Sequence, residues 1–115
     1  MGSENDPNNI EVLSISSRRD GAHVVVELEG ELDLHGSDRL AVEVRQALRE
    51  PVELLELDAT RLTFADSAGL RAVLMARAEA ESNGAVFRIV AVSAPVGRVI
   101  EIAGLGDLLL PAGDR

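Results

Sequence analysis

The order of strand-like and helix-like segments restricts most strongly how this 115-residue chain can fold. The clearest strand is VVVELEGELDL at residues 24–34, where apolar and acidic residues alternate. A period of two residues indicates a strand with one apolar face and one polar face. The apolar positions are Val24, Val26, Leu28, Leu32 and Leu34, and the acidic ones are Glu27, Glu29, Glu31 and Asp33. We interpret the acidic positions as a solvated face of the sheet.

The segments on either side of this strand predict a hairpin before it and a helix after it. Residues 10–15 predict a short weak strand, and Arg18-Arg19-Asp20-Gly21 is typical of a turn. After the strand, Ser37 is a candidate N-cap for a helix that Pro51 ends. Residues 52–57 then predict a second clear strand.

The second half of the chain repeats this alternation. We expect a loop over residues 58–66 and a helix from Ser67 to a stop at Asn83-Gly84. Residues 86–92 are almost wholly apolar, as expected of a central strand covered on both faces. The predicted third helix is capped by Ser93 and closed by Gly104, and residues 108–110 are a last short strand or apolar tail.

This order predicts an α/β fold with a mainly parallel central sheet of about five strands, an N-terminal hairpin and three main helices. We expect a single domain over residues 10–110, between flexible tails at 1–9 and 111–115. In such sheets, binding sites gather at the loops that follow the carboxyl ends of the strands. Residues 33–36 and 58–66 are the two loops with suitable chemistry.

Composition removes whole classes of function. The chain has no cysteine and no lysine, which excludes thiolate metal sites, cysteine nucleophiles, Schiff bases and a phosphate-loop lysine. Its two histidines, His23 and His35, have no spacing typical of a metal site, so we expect neither metal nor cofactor. A net charge of −9 disfavours nucleic acid and anionic membranes as partners. The chain also lacks an apolar run of the ~18 residues that a membrane span needs, and its start does not resemble a signal peptide, so we expect a cytoplasmic protein.

The predicted second helix begins with the most informative residues. Asp66 can cap this helix, Ser67 would be its first residue, and Gly69 would allow a close approach of another group. A serine hydroxyl in this position is well placed to accept a phosphate, since free amides and the helix dipole stabilise added negative charge. Taken alone, the local pattern is more typical of an ordinary helix start without a function.

The remaining candidates are weaker. Phe64 is expected to be buried, His35 to be a solvated loop residue, and Arg61 to lack the glycine-rich loop of a phosphate site. Ser67 has no convincing base and no Gly-x-Ser-x-Gly turn, so we do not expect an enzyme.

Taken in order, the segments GELDL, LLELD and F-x-D-S-A-G-L resemble the STAS family, and more closely its single-domain anti-sigma factor antagonists of bacteria. The stretch SAPVGRVIEIAGLGDLL is similar to the end of that family's domain. The resemblance runs from about Ile10 to Leu110 without large gaps.

The resemblance implies a protein-binding switch. In the family, the unphosphorylated antagonist binds an anti-sigma factor with a histidine-kinase-like ATPase fold and frees a sigma factor. The same partner phosphorylates the serine, the complex dissociates, and a metal-dependent phosphatase resets the switch. Carried over by position, Ser67 is the phosphorylated residue, and the partner-binding residues are Asp33, Asp66, Ser67, Ala68, Gly69 and Leu70. Ala68 and Arg71 depart from the residues common in the family, and Arg71 in particular would alter the choice of partner.

Two alternatives remain at this point. The chain could be a STAS scaffold subunit of a lipid- or anion-transport complex, in which Ser67 is only a helix start. It could also be a STAS module that binds a nucleotide or another small molecule.

Overall fold

An antiparallel hairpin followed by two parallel crossovers builds the sheet. The computed structural model describes residues 12–111. Its elements in chain order are β1 (Leu13–Asp20), β2 (His23–Leu32), α1 (Leu34–Ala47), β3 (Leu54–Ala65), α2 (Ser67–Ser82), β4 (Val86–Val92), α3 (Ala94–Ile102) and α4 (Gly106–Leu109). The strands lie in the order β1-β2-β3-β4, with β1 antiparallel to β2 and the other neighbours parallel. The predicted α/β class, hairpin and parallel sheet are therefore confirmed.

The alternation of β2 sets which side of the sheet carries the core. Val24, Val26, Leu28 and Leu32 are fully buried, whereas Glu29 and Glu31 are exposed. Leu34 does not continue this apolar face, because the chain leaves the strand at Asp33 and Leu34 is the first residue of α1. Its side chain is 68% exposed.

The hairpin is longer than the sequence predicts. Arg18 and Asp20 belong to β1, which pairs with β2 as far as Asp20 opposite His23, so the turn is only Gly21 and Ala22. Gly21 has a φ of 63°, which suits a tight turn. The predicted strand began at Ile10, which lies outside the described residues.

The predicted cap of α1 is wrong. Asp33 rather than Ser37 is the N-cap, because its carboxylate accepts hydrogen bonds from the first amides of the helix. The Ser37 hydroxyl donates instead to the carbonyls of Asp33 and Leu34, at 3.1 Å each.

The predicted loop over residues 58–66 is also wrong, because β3 continues through it to Ala65. The pairing with β2 shifts register between Glu27 and Glu29 and again between Gly30 and Glu31. These bulges break the period of two, so that Leu62 and Ala65, three residues apart, are both buried. Because the apolar residues in this part of β3 do not alternate with polar ones, the sequence pattern did not predict a strand there.

The strand over residues 86–92 exists as predicted, but it is an edge strand of the sheet rather than a central one. Val86 is 57% exposed. A fifth strand does not cover β4 within residues 12–111, because the chain at 106–109 forms the short helix α4 and buries Leu109 and Leu110 in the core.

The later helices follow the prediction more closely. α2 begins at Ser67 after the N-cap Asp66, and α3 follows the N-cap Ser93. Gly104, with a φ of 77°, follows the end of α3 as expected of a glycine stop. In residues 12–111, none of the helices is long and apolar enough to span a bilayer. The tails expected at 1–9 and 111–115 lie outside the described residues, except for the partly buried Pro111.

Candidate functional site

Helices α1 and α2 begin side by side at the edge of the sheet that is formed by the carboxyl ends of β2 and β3. In the parallel pair β2–β3, Leu32 and Ala65 are register partners and are the last residues of their strands. Each is followed by an aspartate N-cap, Asp33 for α1 and Asp66 for α2. The register therefore brings both carboxylates, 33 positions apart in the sequence, to the same edge.

Both aspartates are engaged with the backbone of the helix that follows them. Asp33 Oδ1 accepts from the amides of His35 at 3.0 Å and Gly36 at 3.1 Å. Asp66 Oδ1 accepts from the amide of Gly69 at 2.8 Å. Because a helix N-terminus carries partial positive charge, each carboxylate is held in a favourable place, and together they make this edge acidic.

Gly69 holds the first turn of α2 directly against the end of β2. A Cβ at this position would lie 2.1 Å from the carbonyl oxygen of Leu32. The amide of Asp66 donates to the same oxygen at 3.3 Å. The group that closely approaches Gly69 is thus the backbone of the neighbouring strand. This contact fixes the position of the first turn of α2, and with it that of Ser67.

Ser67 is the first residue of α2, and its side chain is exposed to solvent. Asp33, Asp66 and Ala68 around it are partly buried. Gly69 and Leu70 are buried, so these two residues support the shape of the surface from beneath.

An open groove between α1 and α2 starts at Ser67, and the sequence pattern did not predict this groove. Its volume is about 600 Å³. One wall is a stripe on α2 spaced by four residues: Ser67, Arg71, Met75 and Glu79. The other wall comes from α1 and includes Leu34, Asp38, Ala41 and Arg45. The four-residue spacing was visible in the sequence, but only the packing of two helices turns such a stripe into a groove.

Exposed apolar side chains lie at and near this groove. Leu34 and Met75 line it and are 68% and 60% exposed. Phe64, which we expected to be buried, is 46% exposed near the end of β3. Phe64 is exposed because the bulged strand directs Leu62 and Ala65, but not Phe64, toward the core.

The other candidates lie outside this groove. His35 is exposed in the first turn of α1, as expected of a solvated residue. Arg61 lies within β3, with its Nη1 atom 3.9 Å from Glu29 Oε1. Asp58, also in β3, accepts hydrogen bonds from the Thr60 hydroxyl at 2.6 Å and the Thr60 amide at 3.0 Å, and these bonds lower the pKa of its carboxyl. Across residues 12–111, histidine, aspartate and glutamate side chains do not converge in groups of three that could hold a metal ion.

The fold and this edge define a class of protein: a small α/β domain that presents an acid-flanked serine at the start of a helix, beside a groove. The family model described as Mlab, STAS domain, matches residues 15–111. The chain belongs to the STAS domain family.

Named relatives agree with this assignment. The chain is 31% identical over 98 residues to the anti-sigma F factor antagonist of Paenibacillus polymyxa, covering 84% of each. It is similar to the structure of the anti-sigma factor antagonist SpoIIAA in its unphosphorylated form, with a TM-score of 0.73 and 27% identity over 86% of this chain and 88% of that one. For the Bacillus cell fate determinant SpoIIAA in the phosphorylated form, the TM-score is 0.66 and the identity 26%, over 86% and 91% of the two chains. The resemblance and the STAS fold are confirmed, with four strands in the described residues where we expected about five.

Proposed function

We propose that this protein is an anti-sigma factor antagonist, a non-enzymatic regulator that acts in the cytoplasm. It binds an anti-sigma factor with a histidine-kinase-like ATPase fold, releases a sigma factor, and is switched off when that partner phosphorylates Ser67. The observation that carries the proposal is the exposed Ser67 at the start of α2, in a chain similar to a SpoIIAA known in both an unphosphorylated and a phosphorylated form.

The surface around Ser67 suits a protein partner. Exposed Leu34, Met75 and Phe64 offer apolar contacts, and Asp33 and Asp66 offer charge. Large exposed apolar side chains next to polar ones are typical of protein interfaces. The binding surface therefore extends beyond the six residues carried over from the family pattern to the α1–α2 groove.

The chemistry of phosphorylation asks little of this chain. The Ser67 oxygen attacks the γ-phosphorus of ATP held by the partner, the bond to the bridging oxygen breaks, and ADP leaves. The hydroxyl proton passes to a base of the partner. This chain supplies an accessible hydroxyl and the free amides of a helix start, which stabilise the added charge.

The switch follows from local electrostatics. A phosphate adds a charge of about −1.5 to −2 at neutral pH beside Asp33 and Asp66. In the free chain, water screens the repulsion between the phosphate and these carboxylates, whereas a bound partner excludes that water. Two like charges ~5 Å apart at an effective dielectric constant near 20 then repel by ~3 kcal/mol as an upper value, and the helix dipole offsets part of this. Since each 1.4 kcal/mol changes affinity about tenfold, one phosphate weakens the complex without refolding. A metal-dependent phosphatase would restore the binding form.

The direct test follows the intact mass of the protein incubated with ATP and candidate anti-sigma kinases. Wild type and Ser82→Ala, a control at the far end of the same helix, should gain one phosphoryl group, and Ser67→Ala should gain none. If wild type gains no phosphate with any kinase and co-purifies with a transport complex, the protein is a scaffold subunit instead. Saturable binding of a nucleotide in the absence of any protein partner would favour the small-molecule module.

A binding experiment tests the electrostatic part. We expect Ser67→Asp to lower affinity for the anti-sigma factor about tenfold or more, and Ser67→Ala to preserve most of it. Isothermal titration calorimetry measures the affinity of each variant. Equal affinities for the two variants would contradict repulsion as the cause of release.

A further inference from the structure

Arg71 stands one helical turn from Ser67 on the same face of α2. Residues four apart on a helix are neighbours on its surface. Both side chains line the α1–α2 groove, and both are exposed. Among residues 12–111, Arg71 makes no ion pair, unlike Arg77 on the same helix, whose Nη2 atom is 3.3 Å from Glu81 Oε2.

The other charges that face this part of the groove do not neutralise a phosphate at Ser67. Asp66 caps α2 beside it, Asp33 caps α1, and Asp38 lines the α1 wall. Arg45 lies on the α1 wall in the last turn of that helix, and Glu79 lies three turns along α2. Arg71 is therefore the cation placed to meet a group on Ser67.

We propose that Arg71 is the positioning residue for the phosphate on Ser67. This inference rests on the proposed function, because it concerns the phosphorylated form of that site. The guanidinium donates two parallel hydrogen bonds to phosphate oxygens, a geometry that suits arginine better than any other side chain. It turns the phosphate along α2 into the groove that Ser67 and Arg71 both line.

The pairing has a consequence that a merely structural arginine would not have. A cation held against the phosphate favours its dianionic form, so it lowers the second pKa of phosphoserine, which is ordinarily about 6. The surrounding carboxylates act in the opposite direction. Removing Arg71 should leave the carboxylates unopposed and raise this pKa.

The test uses the full chain with phosphoserine placed at position 67 by genetic encoding, so that it needs no kinase. Phosphorus NMR follows the titration of the phosphate in the otherwise wild-type protein, in Arg71→Gln and in Arg77→Gln. Arg77 carries the same charge on the same helix but lies ten residues from Ser67, about 15 Å along the helix axis and beyond the ~10 Å Debye length at 0.1 M salt.

We expect Arg71→Gln to raise the second phosphate pKa by about 0.2–0.7, the size that an exposed ion pair of ordinary strength produces. Arg77→Gln should leave it unchanged. As a second measurement, the Arg71 Nε–Hε resonance should shift when phosphoserine replaces Ser67, while that of Arg77 should not.

The same phosphate pKa in wild type and Arg71→Gln, or an Arg71 resonance that ignores the phosphate, would overturn the inference. Neither result touches the proposed function, which depends on a kinase adding the phosphate. Conversely, the encoded phosphoserine reports on Arg71 even if no kinase ever modifies Ser67.

Discussion

At the scale of single residues, Gly69 shows why the start of α2 admits so little change. Its backbone lies so close to the carbonyl of Leu32 that a methyl group has no space, and a strand backbone cannot move aside as a flexible side chain can. The position of the Ser67 hydroxyl thus depends on a glycine two residues later. Asp66 adds the cap that orients the same turn.

We predict opposite effects for two glycine-to-alanine substitutions within helices. Gly69→Ala should lower the free energy of unfolding by about 1–3 kcal/mol, because the new Cβ would meet the Leu32 oxygen at 2.1 Å. Gly97→Ala, in α3, meets only a Val92 methyl at 3.6 Å and should raise stability by about 0.5–1 kcal/mol. Urea unfolding measures both. A Gly69→Ala protein as stable as wild type would show that α2 is not held against β2.

Asp58 gives a prediction about pH. Hydrogen bonds from Thr60 lower the pKa of this carboxyl in the folded protein below its ordinary value of 3.8. The resulting stabilisation is therefore fully present above the unfolded pKa and is lost as the pH falls through the folded pKa.

Thr60→Val should move the pKa of Asp58 upward, because the threonine hydroxyl is the largest cause of the lowering. Thr63→Val is the matched control, since the Thr63 hydroxyl bonds to the Gly30 carbonyl instead. Carbon-detected NMR titration of Asp58 measures the effect. If Thr63→Val moves this pKa as much as Thr60→Val does, the local hydrogen bond is not the cause.

At the scale of elements, β3 decides where the site stands. Had the chain left the sheet at Asp58, the start of α2 would not be tied to the end of β2. Instead, β3 runs on through two register shifts until Ala65 is level with Leu32. The two helix starts are adjacent because the two strands end together.

We predict that the half of β3 that contains the register shifts contributes to the stability of the fold, as a buried strand does and an exposed loop does not. Leu62→Ala should lower the free energy of unfolding by about 2–5 kcal/mol, because it empties a buried leucine site. Arg61→Ala, next to it with a 76% exposed side chain, should change stability by about 0.5 kcal/mol or less. Thermal unfolding compares them, and a mild effect at Leu62 would argue against the long strand.

At the scale of the whole molecule, charge is the dominant property. Twenty acidic residues against 11 arginines leave a net charge of −9 on 115 residues. The mutual repulsion of these negative charges destabilises the compact folded state, and dissolved salt screens the repulsion.

We predict that the midpoint of thermal unfolding at pH 7 rises by about 2–4 °C between 20 mM and 0.5 M sodium chloride, as screening restores roughly 0.5 kcal/mol. Near pH 4.6, the calculated isoelectric point, the same addition should have little effect because the net charge is close to zero. Calorimetry at the two pH values separates charge screening from a general effect of salt. Equal increases at both would rule out net repulsion as the cause.

The sequence by itself determined the α/β class, the hairpin, the start of α2 after Asp66 and the apolar face of β2. These features are local: alternation, helical spacing and capping act over a few neighbouring residues, so the chain displays them directly. The family resemblance also rested on short segments, GELDL, LLELD, F-x-D-S-A-G-L and SAPVGRVIEIAGLGDLL, taken in order.

Only the tertiary structure decided the length of β3, the edge position of β4, the exposure of Leu34 and Phe64, and the groove that joins Ser67 to Arg71. Each of these depends on contacts between distant segments. Register shifts against β2 bring Leu62 inward, α4 takes the place of a fifth strand, and two helices must pack before their facing stripes enclose a groove. A side chain's burial is set by which elements cover it, and that cover comes from parts of the chain that local pattern does not reach.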